Sequence, residues 1–399
     1  MDFRFSPEDE ALRNDVIEFV RREWEPGDFD VDVNLSWYHR DPDMRAHVKA
    51  FQKKLVTKGW WTMHWPAEHG GQDASIATQL AYKEAMAYAG APQASGGGLI
   101  APVLMAIGQD WQKHEFLPKL ANADLEVSQG FSEPNAGSDL ASLETRAIRE
   151  GDDYILNGQK IWGTYRDPWV HILVRTDPDA PKHRGITYLL APLMDDRGEY
   201  LPGVRVRTVL NAIGRHRWDE LFLDNVRVPA RNVIGEENRG WYAAMTTLSF
   251  ERSNIQGPAG LIRLIEHYIE FCRNQKRRGF DTPFDSPVFR HRVADLRARI
   301  EAMRMLSYRI AWMQSQGLVP QKEASMTKFW GDDLDQQTYR TLSRGLQGFG
   351  ELLPSSRYPV PYDGFLNSRA FMTGMLSISG GTTEIQKNII AQRGLGLPR

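Results

Sequence analysis

The sequence is poor in most of the features that assign a protein quickly. It has one cysteine, Cys272, in 399 residues, so no disulfide can form within the chain, which suits a reducing compartment. Neither sign of charge is in excess. Lys and Arg number 49 against 51 Asp and Glu, a formal net charge of -2, which argues against a protein built to coat nucleic acid or an anionic membrane. No apolar run approaches the roughly 18 residues of a transmembrane helix, so no membrane span is expected. The opening MDFRFSPEDE has no basic stretch leading into an apolar one, so no secretory signal is expected. There is no Walker A loop and no G-x-G-x-x-G between a strand and a helix. The histidines form no H-E-x-x-H, and a single cysteine cannot build a Cys-rich zinc centre, so no metal is expected. G-x-S-x-G is missing as well. These absences remove the common kinase, Rossmann, zinc-hydrolase and serine-hydrolase readings. A soluble, cytoplasmic protein of two or three domains remains, at about 100–200 residues per domain.

What is present falls into three zones. Residues 1–123 read as helical. Ser6 is placed to cap a helix starting at Pro7, Glu8 to Glu10 favour its positive end, and Leu12, Val16, Phe19 and Val20 recur at helical spacing. A second periodic run, Met44–Lys58, stops at Gly59. A loop broken by Pro66, Gly70 and Gly71 follows, and helical patterns resume at Ile76–Tyr88 and Leu104–Leu120. Gly96, Gly97 and Gly98 mark a flexible or closely approached backbone.

Residues 124–232 change period. β-rich runs at Asp153–Leu156, Lys160–Thr164, Val170–Arg175, Gly185–Ala191, Val204–Leu210 and Glu220–Val228 suggest a small barrel or sandwich. Asn157-Gly158 reads as a two-residue hairpin turn, since both positions tolerate positive φ. Residues 233–399 return to helix. Phe289, Val293, Leu296, Ile300, Met303, Ile310 and Met313 form a bundle seam. Trp241–Cys272, interrupted at Gly257-Pro258, Gln321–Leu346 and Phe365–Ile378 complete a set of long helices.

Three motifs stand in order on these zones. Phe131-Ser132-Glu133-Pro134-Asn135-Ala136-Gly137-Ser138-Asp139-Leu140 marks the junction of the helical and β zones. Asn157-Gly158-Gln159-Lys160-Ile161-Trp162-Gly163-Thr164 lies in the β zone, and Ser379-Gly380-Gly381-Thr382-Thr383-Glu384-Ile385-Gln386 near the C-terminus. With Trp65-Pro66-Ala67-Glu68-His69-Gly70-Gly71, they make nearly the whole chain resemble the acyl-CoA dehydrogenase family. The resemblance implies an α+β multidomain fold: an N-terminal helical domain (1–123), a middle β-barrel domain (124–232) and a C-terminal four-helix bundle (233–399). It implies an FAD flavoprotein that desaturates an acyl-CoA thioester between Cα and Cβ and passes electrons to an electron-transfer flavoprotein. Assembly would be as a homodimer or homotetramer, with a hetero-oligomer as the variant. The spelling around Phe131 and Thr382 resembles bacterial members, including those of sterol side-chain degradation.

The implied chemistry needs a carboxylate base against a weakly acidic α-proton, a polarised thioester carbonyl, and a flavin accepting hydride from Cβ. Many members carry the base as a Glu just before the Gly-Thr of the third motif. Here that position is Gly380, which cannot take a proton. A second group places the base on a bundle helix directly before an Arg, and Ser249-Phe250-Glu251-Arg252 matches it. Glu251 is therefore the expected base, Arg252 a substrate-orienting cation, and Gly380 part of the acyl site. Glu384 is the rival base, although its motif position is a flavin contact. Without the family, Glu251-Arg252 would read as a solvated helical pair contributing only tenths of a kcal/mol.

By the same matching, Gln129, Phe131 and Ser132 line the flavin ring and Ser138 lies near the pyrophosphate. Trp162 packs near the isoalloxazine, and Thr164 sets a hydroxyl near N5. Thr382 and Glu384 touch FAD from the third motif, and Arg277 and Phe280 form an R-x-x-F element reaching a neighbouring subunit's FAD. Each has a plainer reading. Trp162 reads equally as a core aromatic, Ser132 and Ser138 as turn residues, Thr382 as a helix cap, and Arg277 as one of several cations at a helix C-terminus. Two other functions stay open: a catalytically silent, flavin-poor subunit of a mixed tetramer, and a flavin oxidase or monooxygenase with a non-CoA substrate.

Overall fold

The computed structural model describes residues 3–24, 42–92, 96–214, 216–247, 254–353, 357 and 361–398. Among the described residues, five helices come first: α1 (Pro7–Glu23), α2 (Pro42–Thr57), α3 (Ile76–Ala89), α4 (Ile100–Ile107) and α5 (Asp110–Ala121). The strands follow: β1 (Val127–Gly130), β2 (Arg146–Glu150), β3 (Asp153–Gly163), β4 (Trp169–Arg175), β5 (Ile186–Pro192), β6 (Val204–Leu210) and β7 (His216–Pro229). The chain then returns to helix: α6 (Gly240–Thr247), α7 (Gln256–Arg277), α8 (Pro287–Ser315), α9 (Gln321–Gly345), α10 (Phe365–Met372) and α11 (Thr383–Ile389).

Two compact units emerge. One comprises Met1–Asn34, Ala74–Ala94 and Arg252–Arg399, the other Leu35–Asp73 and Ser95–Glu251. The helices before residue 124 therefore contribute to both, α1 and α3 to the first and α2, α4 and α5 to the second.

In the helical unit, Ser6 caps α1 by accepting from the Asp9 amide at 3.1 Å, with Pro7 opening the helix and Val16, Phe19 and Val20 buried. The seam expected along α8 is present: Val293, Leu296, Ile300 and Met303 pack with Leu261, Ile265 and Tyr268 of α7 and Leu334 and Leu342 of α9. Two helical expectations change. Gly257 and Pro258 do not interrupt a helix but lie in the first turn of α7. There the missing proline N–H has no intrahelical partner to lose. The run Phe365–Ile378 is not one helix; α10 ends at Met372 and a 3-10 turn, Thr373–Ser377, follows.

In the other unit, seven strands form one sheet in the order β1-β4-β2-β3-β7-β6, with β5 also on β4. Strand β1 runs parallel to β4, and most other pairs are antiparallel. The predicted hairpin at Asn157-Gly158 is not a turn. β3 is continuous from Asp153 to Gly163, and the register with β7 shifts at this point, which makes it a bulge. Asn157 bonds across to Asn225 twice, accepting from its amide at 2.9 Å and donating to its side chain at 3.2 Å. Gly158 has φ +153, and a Cβ there would stand 2.6–2.8 Å from Thr145. The actual β2–β3 turn uses Gly151, at φ +61.

Candidate flavin and acyl site

The first two motifs lie side by side in the sheet unit. The Ile161 amide donates to the Ser132 carbonyl at 3.0 Å, and the Ser128 hydroxyl sits 2.7 Å from the Thr164 carbonyl. This pairing sets Gln129 and Ser132 on one strip beside Trp162 and Thr164 on the next. Gln129, Ser132 and Thr164 are half-buried, and among the described residues their side chains make no hydrogen bond. Trp162 is 55% exposed and meets Trp218 edge to face at 5.7 Å. Its backbone is at φ +73, in a second register shift between β3 and β7. A non-glycine residue held there stores on the order of 1–3 kcal/mol, a cost that clusters at functional sites. The plain core reading of Trp162 therefore does not hold, because the indole faces outward. Phe131 does the reverse. Its ring is buried, edge-on to His171 at 5.4 Å and Tyr188 at 5.7 Å, so what it offers the strip surface is backbone.

A buried ion pair that sequence reasoning missed locks the two motifs together. Lys160 Nζ lies 2.7 Å from Glu133 and donates to the Phe131 carbonyl at 3.1 Å. The Glu133 carboxylate also accepts the Glu144 and Thr145 amides, at 2.7 and 2.9 Å. Burial works to raise the Glu133 pKa, but the Lys160 charge and these hydrogen bonds overcome it and hold the carboxyl below its ordinary range. Burial pushes the Lys160 ammonium down to about 8 against the pull of Glu133, so both groups are charged at neutral pH. Only a Lys inside a β run and a Glu before a proline could have signalled this pair. Beyond it, Ser138 is exposed, and its neighbour Asp139 is held by Ser142 at 2.7 Å and by Lys182.

The helical unit carries the third motif. Gly380 and Gly381 have φ +64 and +89, and Gln386 Nε2 ties down the Gly380 carbonyl at 3.2 Å. Thr382 caps α11, accepting from the Ile385 amide at 3.2 Å, so its plainer role is realised. Glu384 is exposed in the first turn of α11. A Cβ on Gly380 would lie 3.6 Å from Lys328 Cε of α9. Lys328 donates to the Leu376 carbonyl at 2.6 Å and pairs with Asp332, whose carboxyl burial pushes up to about 6 against the pull of Lys328. Three residues along α9, a Cβ on Gly331 would meet Asn254 Nδ2 at 3.0 Å. One face of α9 therefore touches both the Gly380 loop and the chain three residues after Glu251. Glu251 and Arg252 themselves lie outside the described residues. Arg277, exposed at the end of α7, bonds Asn274 at 2.7 Å and Glu270 at 3.2 Å, and Phe280 is 57% exposed.

Comparison with known proteins resolves what these motifs belong to. Three family profiles match in order: Acyl-CoA dehydrogenase, N-terminal domain, over residues 6–124; middle domain, over 128–226; and C-terminal domain, over 238–395. The chain belongs to the acyl-CoA dehydrogenase family. It is 35% identical over 352 residues to acyl-CoA dehydrogenase FadE26 of Mycobacterium tuberculosis, covering 86% of both chains. Acyl-CoA dehydrogenase IpdE1 of the same organism is 32% identical, with 94% of both chains covered. Among solved structures, the Tcur3481-Tcur3483 steroid ACAD superposes with TM-score 0.85 at 28% identity over all of both chains. The ChsE4-ChsE5 complex from Mycobacterium tuberculosis does so with TM-score 0.82 at 32% identity, again over all of both chains.

As a family member the chain is an FAD-dependent oxidoreductase acting in acyl-CoA dehydrogenation. The strip suits that cofactor: an amide and two hydroxyls stand unengaged beside an outward indole, matching a flat ring whose edge carries hydrogen-bonding atoms. Among the described residues no helix is long and apolar enough to cross a membrane, and no cluster of three metal-ligating side chains occurs.

Proposed function

We propose that this chain dehydrogenates a bulky, sterol-type acyl-CoA thioester between Cα and Cβ, with Glu251 as the base. Glu251 breaks the Cα–H bond and keeps the proton as its own carboxylic acid. Arg252 orients the thioester, and Gly380 leaves space for the acyl group where a side chain would stand. When bound, FAD supplies the two-electron acceptor for the hydrogen leaving Cβ. Gln129, Ser132 and Thr164 hold its polar edge, Trp162 covers the ring, and Ser138 takes the pyrophosphate end. The carrying observation is the strip itself: two motifs hydrogen-bonded side by side, with unengaged polar groups at the matched positions. The sterol-type substrate is supported by the steroid ACAD among the structural relatives. An electron-transfer flavoprotein is the proposed acceptor.

A second reading has its own support. Two of the structural relatives are described as pairs of named proteins, which favours a hetero-oligomer in which this chain needs a partner. One experiment separates the readings. The purified chain is titrated anaerobically with straight, branched and sterol-type acyl-CoA thioesters while the visible flavin band is followed. A yellow protein bleached by the sterol-type thioesters bears out the proposal. Glu251→Gln should stay yellow, bind the same thioester and bleach at least ~10²-fold more slowly, the low end for losing an acid–base group. Near-full speed in that variant sinks the Glu251 assignment and turns attention to Glu384. A colourless protein that turns yellow only with its partner favours the second reading.

A further inference from the structure

Beneath Thr164 lies a carboxyl group that the flavin reading leaves without a role. Asp167 is only 4% exposed. Its Oδ1 accepts from Arg45 Nη2 of α2 at 3.3 Å. Its Oδ2 is 2.8 Å from Ser128 Oγ on β1, and that same Oγ is 2.7 Å from the Thr164 carbonyl oxygen. Three oxygens in a row oblige a proton count. A serine hydroxyl has one hydrogen, and a backbone carbonyl has none to give, so the short Ser128–Thr164 contact uses the serine proton. The Ser128–Asp167 contact then needs a second proton, and the carboxyl is the group that can bring it. Were Asp167 ionised, Ser128 could serve only one neighbour. The other pair of oxygens would stand under 3 Å apart with no hydrogen between them, a buried contact of two acceptors.

We propose that Asp167 is held as the neutral acid and acts as a positioning residue for the flavin-binding strip. Asp167 Oδ2–H donates to Ser128, Ser128 donates to the Thr164 carbonyl, and the relay fixes the backbone that presents the Thr164 hydroxyl. The inference rests on the flavin reading of that strip. The charged surroundings are mixed. Arg45 and Lys49 on α2 favour the anion, while Glu126, just before β1, opposes it. Tyr200, from the β5–β6 connection, also lies in the field of Asp167 and donates to the Tyr165 carbonyl at 2.9 Å. Burial outweighs the two cations and pushes the carboxyl up to about 7. The relay is therefore closed on the acid side of neutrality. As pH rises through about 7 the Oδ2–H bond breaks, the proton passes to a solvent base, and Ser128 is drawn from Thr164 toward the carboxylate.

The test uses the full chain as purified. Infrared difference spectra between pH 6 and pH 9 should contain protonated-carboxyl C=O absorption at pH 6 that is lost by pH 9; Asp332 contributes to it in both proteins, and the component given by wild type minus Asp167→Asn belongs to Asp167. In that variant an amide N–H replaces the acid O–H toward Ser128 and cannot ionise. The rate of anaerobic flavin bleaching by substrate, taken as the ratio of wild type to Asp167→Asn, should fall by about tenfold from pH 6 to pH 9. A displacement on the order of 1 Å can cost about 10²-fold. The ratio cancels the titration of the base, which both proteins share. Equal absorption at pH 6 in wild type and Asp167→Asn overturns the neutral acid. A band with a rate ratio constant across pH overturns the positioning role and leaves the flavin reading standing. A protein that stays colourless even with added FAD and its partner overturns the flavin reading, and the positioning role with it, while the infrared component still decides the proton on Asp167.

Discussion

At the scale of single residues, the strip depends on groups buried behind it. Glu133 and Lys160 are nearly or fully out of water, and both would be expensive to bury alone. Together with the Glu144 and Thr145 amides they satisfy one another and join a loop to a strand. Lys160→Met should therefore destabilise the chain by about 3–5 kcal/mol, because it leaves the Glu133 carboxylate buried without its cation. Adding Glu133→Gln should recover much of that loss, since the residual group is then neutral and can still accept amide hydrogen bonds. Denaturant titrations of wild type, both single variants and the double variant measure the coupling. Additive losses would mean that the pair is incidental. The pair should also matter for flavin retention, since Phe131 and Ser132 on the loop are registered against Ile161 on the strand only while it holds.

Among the elements, the unusual feature is β3. A strand interrupted by Asn157-Gly158 and again at Trp162 would ordinarily be three pieces, yet here it is one element with two bulges against β7. The first bulge needs glycine for a positive φ and for the approach of Thr145. Gly158→Ala should cost about 2 kcal/mol or more, a strained φ and a clash acting together. Shortening Thr145 should not relieve it, because the Thr145 Cα is itself 2.7 Å from the added carbon. Equal unfolding midpoints for wild type and variant would show that the bulge relaxes freely.

The same strand marks the limit of what the sequence made legible. Helices α1, α2 and α3 could be read because their signals are local, as with Ser6 before α1, Gly59 after α2 and the periodicity of Ile76–Tyr88. The hairpin expected at Asn157-Gly158 failed because the dipeptide's partner, Asn225, lies 68 residues away. No local rule distinguishes a turn from a bulge that needs the same φ. Strand β1 went unread, since Val-Ser-Gln-Gly alternates weakly and forms only by adding in parallel to β4. Of the candidate site, the motif positions were visible one by one. The exposure of Trp162, the inward turn of Phe131 and the approach of Asn254 and Gly380 to one face of α9 were not, because each is set by packing between distant segments.

On the scale of the whole molecule, the decisive question is whether a single copy completes its own cofactor site. Arg277 and Phe280 sit at the exposed end of α7, where the local contacts give them little to do. Arg277 bonds only Asn274 and Glu270 among the described residues, both in solvent, and exposed pairs of that kind contribute about 0–1 kcal/mol. Phe280 leaves more than half of its surface in water. If these residues serve the chain alone, Arg277→Ala should change neither stability nor flavin content. If they reach a neighbouring subunit's FAD, as the family resemblance implies, the variant should fold normally yet hold flavin at least tenfold more weakly, since a guanidinium–phosphate pair is worth more than about 1.4 kcal/mol when desolvated. Flavin content after gel filtration at two protein concentrations, with assembly mass measured in the same run, separates the cases. Flavin lost on dilution together with the assembly would mean that the oligomer carries the cofactor site. The response to Arg277→Ala would then identify whose arginine completes it: a loss in the chain by itself means a second copy, and a loss only when the chain is co-purified with a different protein means a hetero-oligomer.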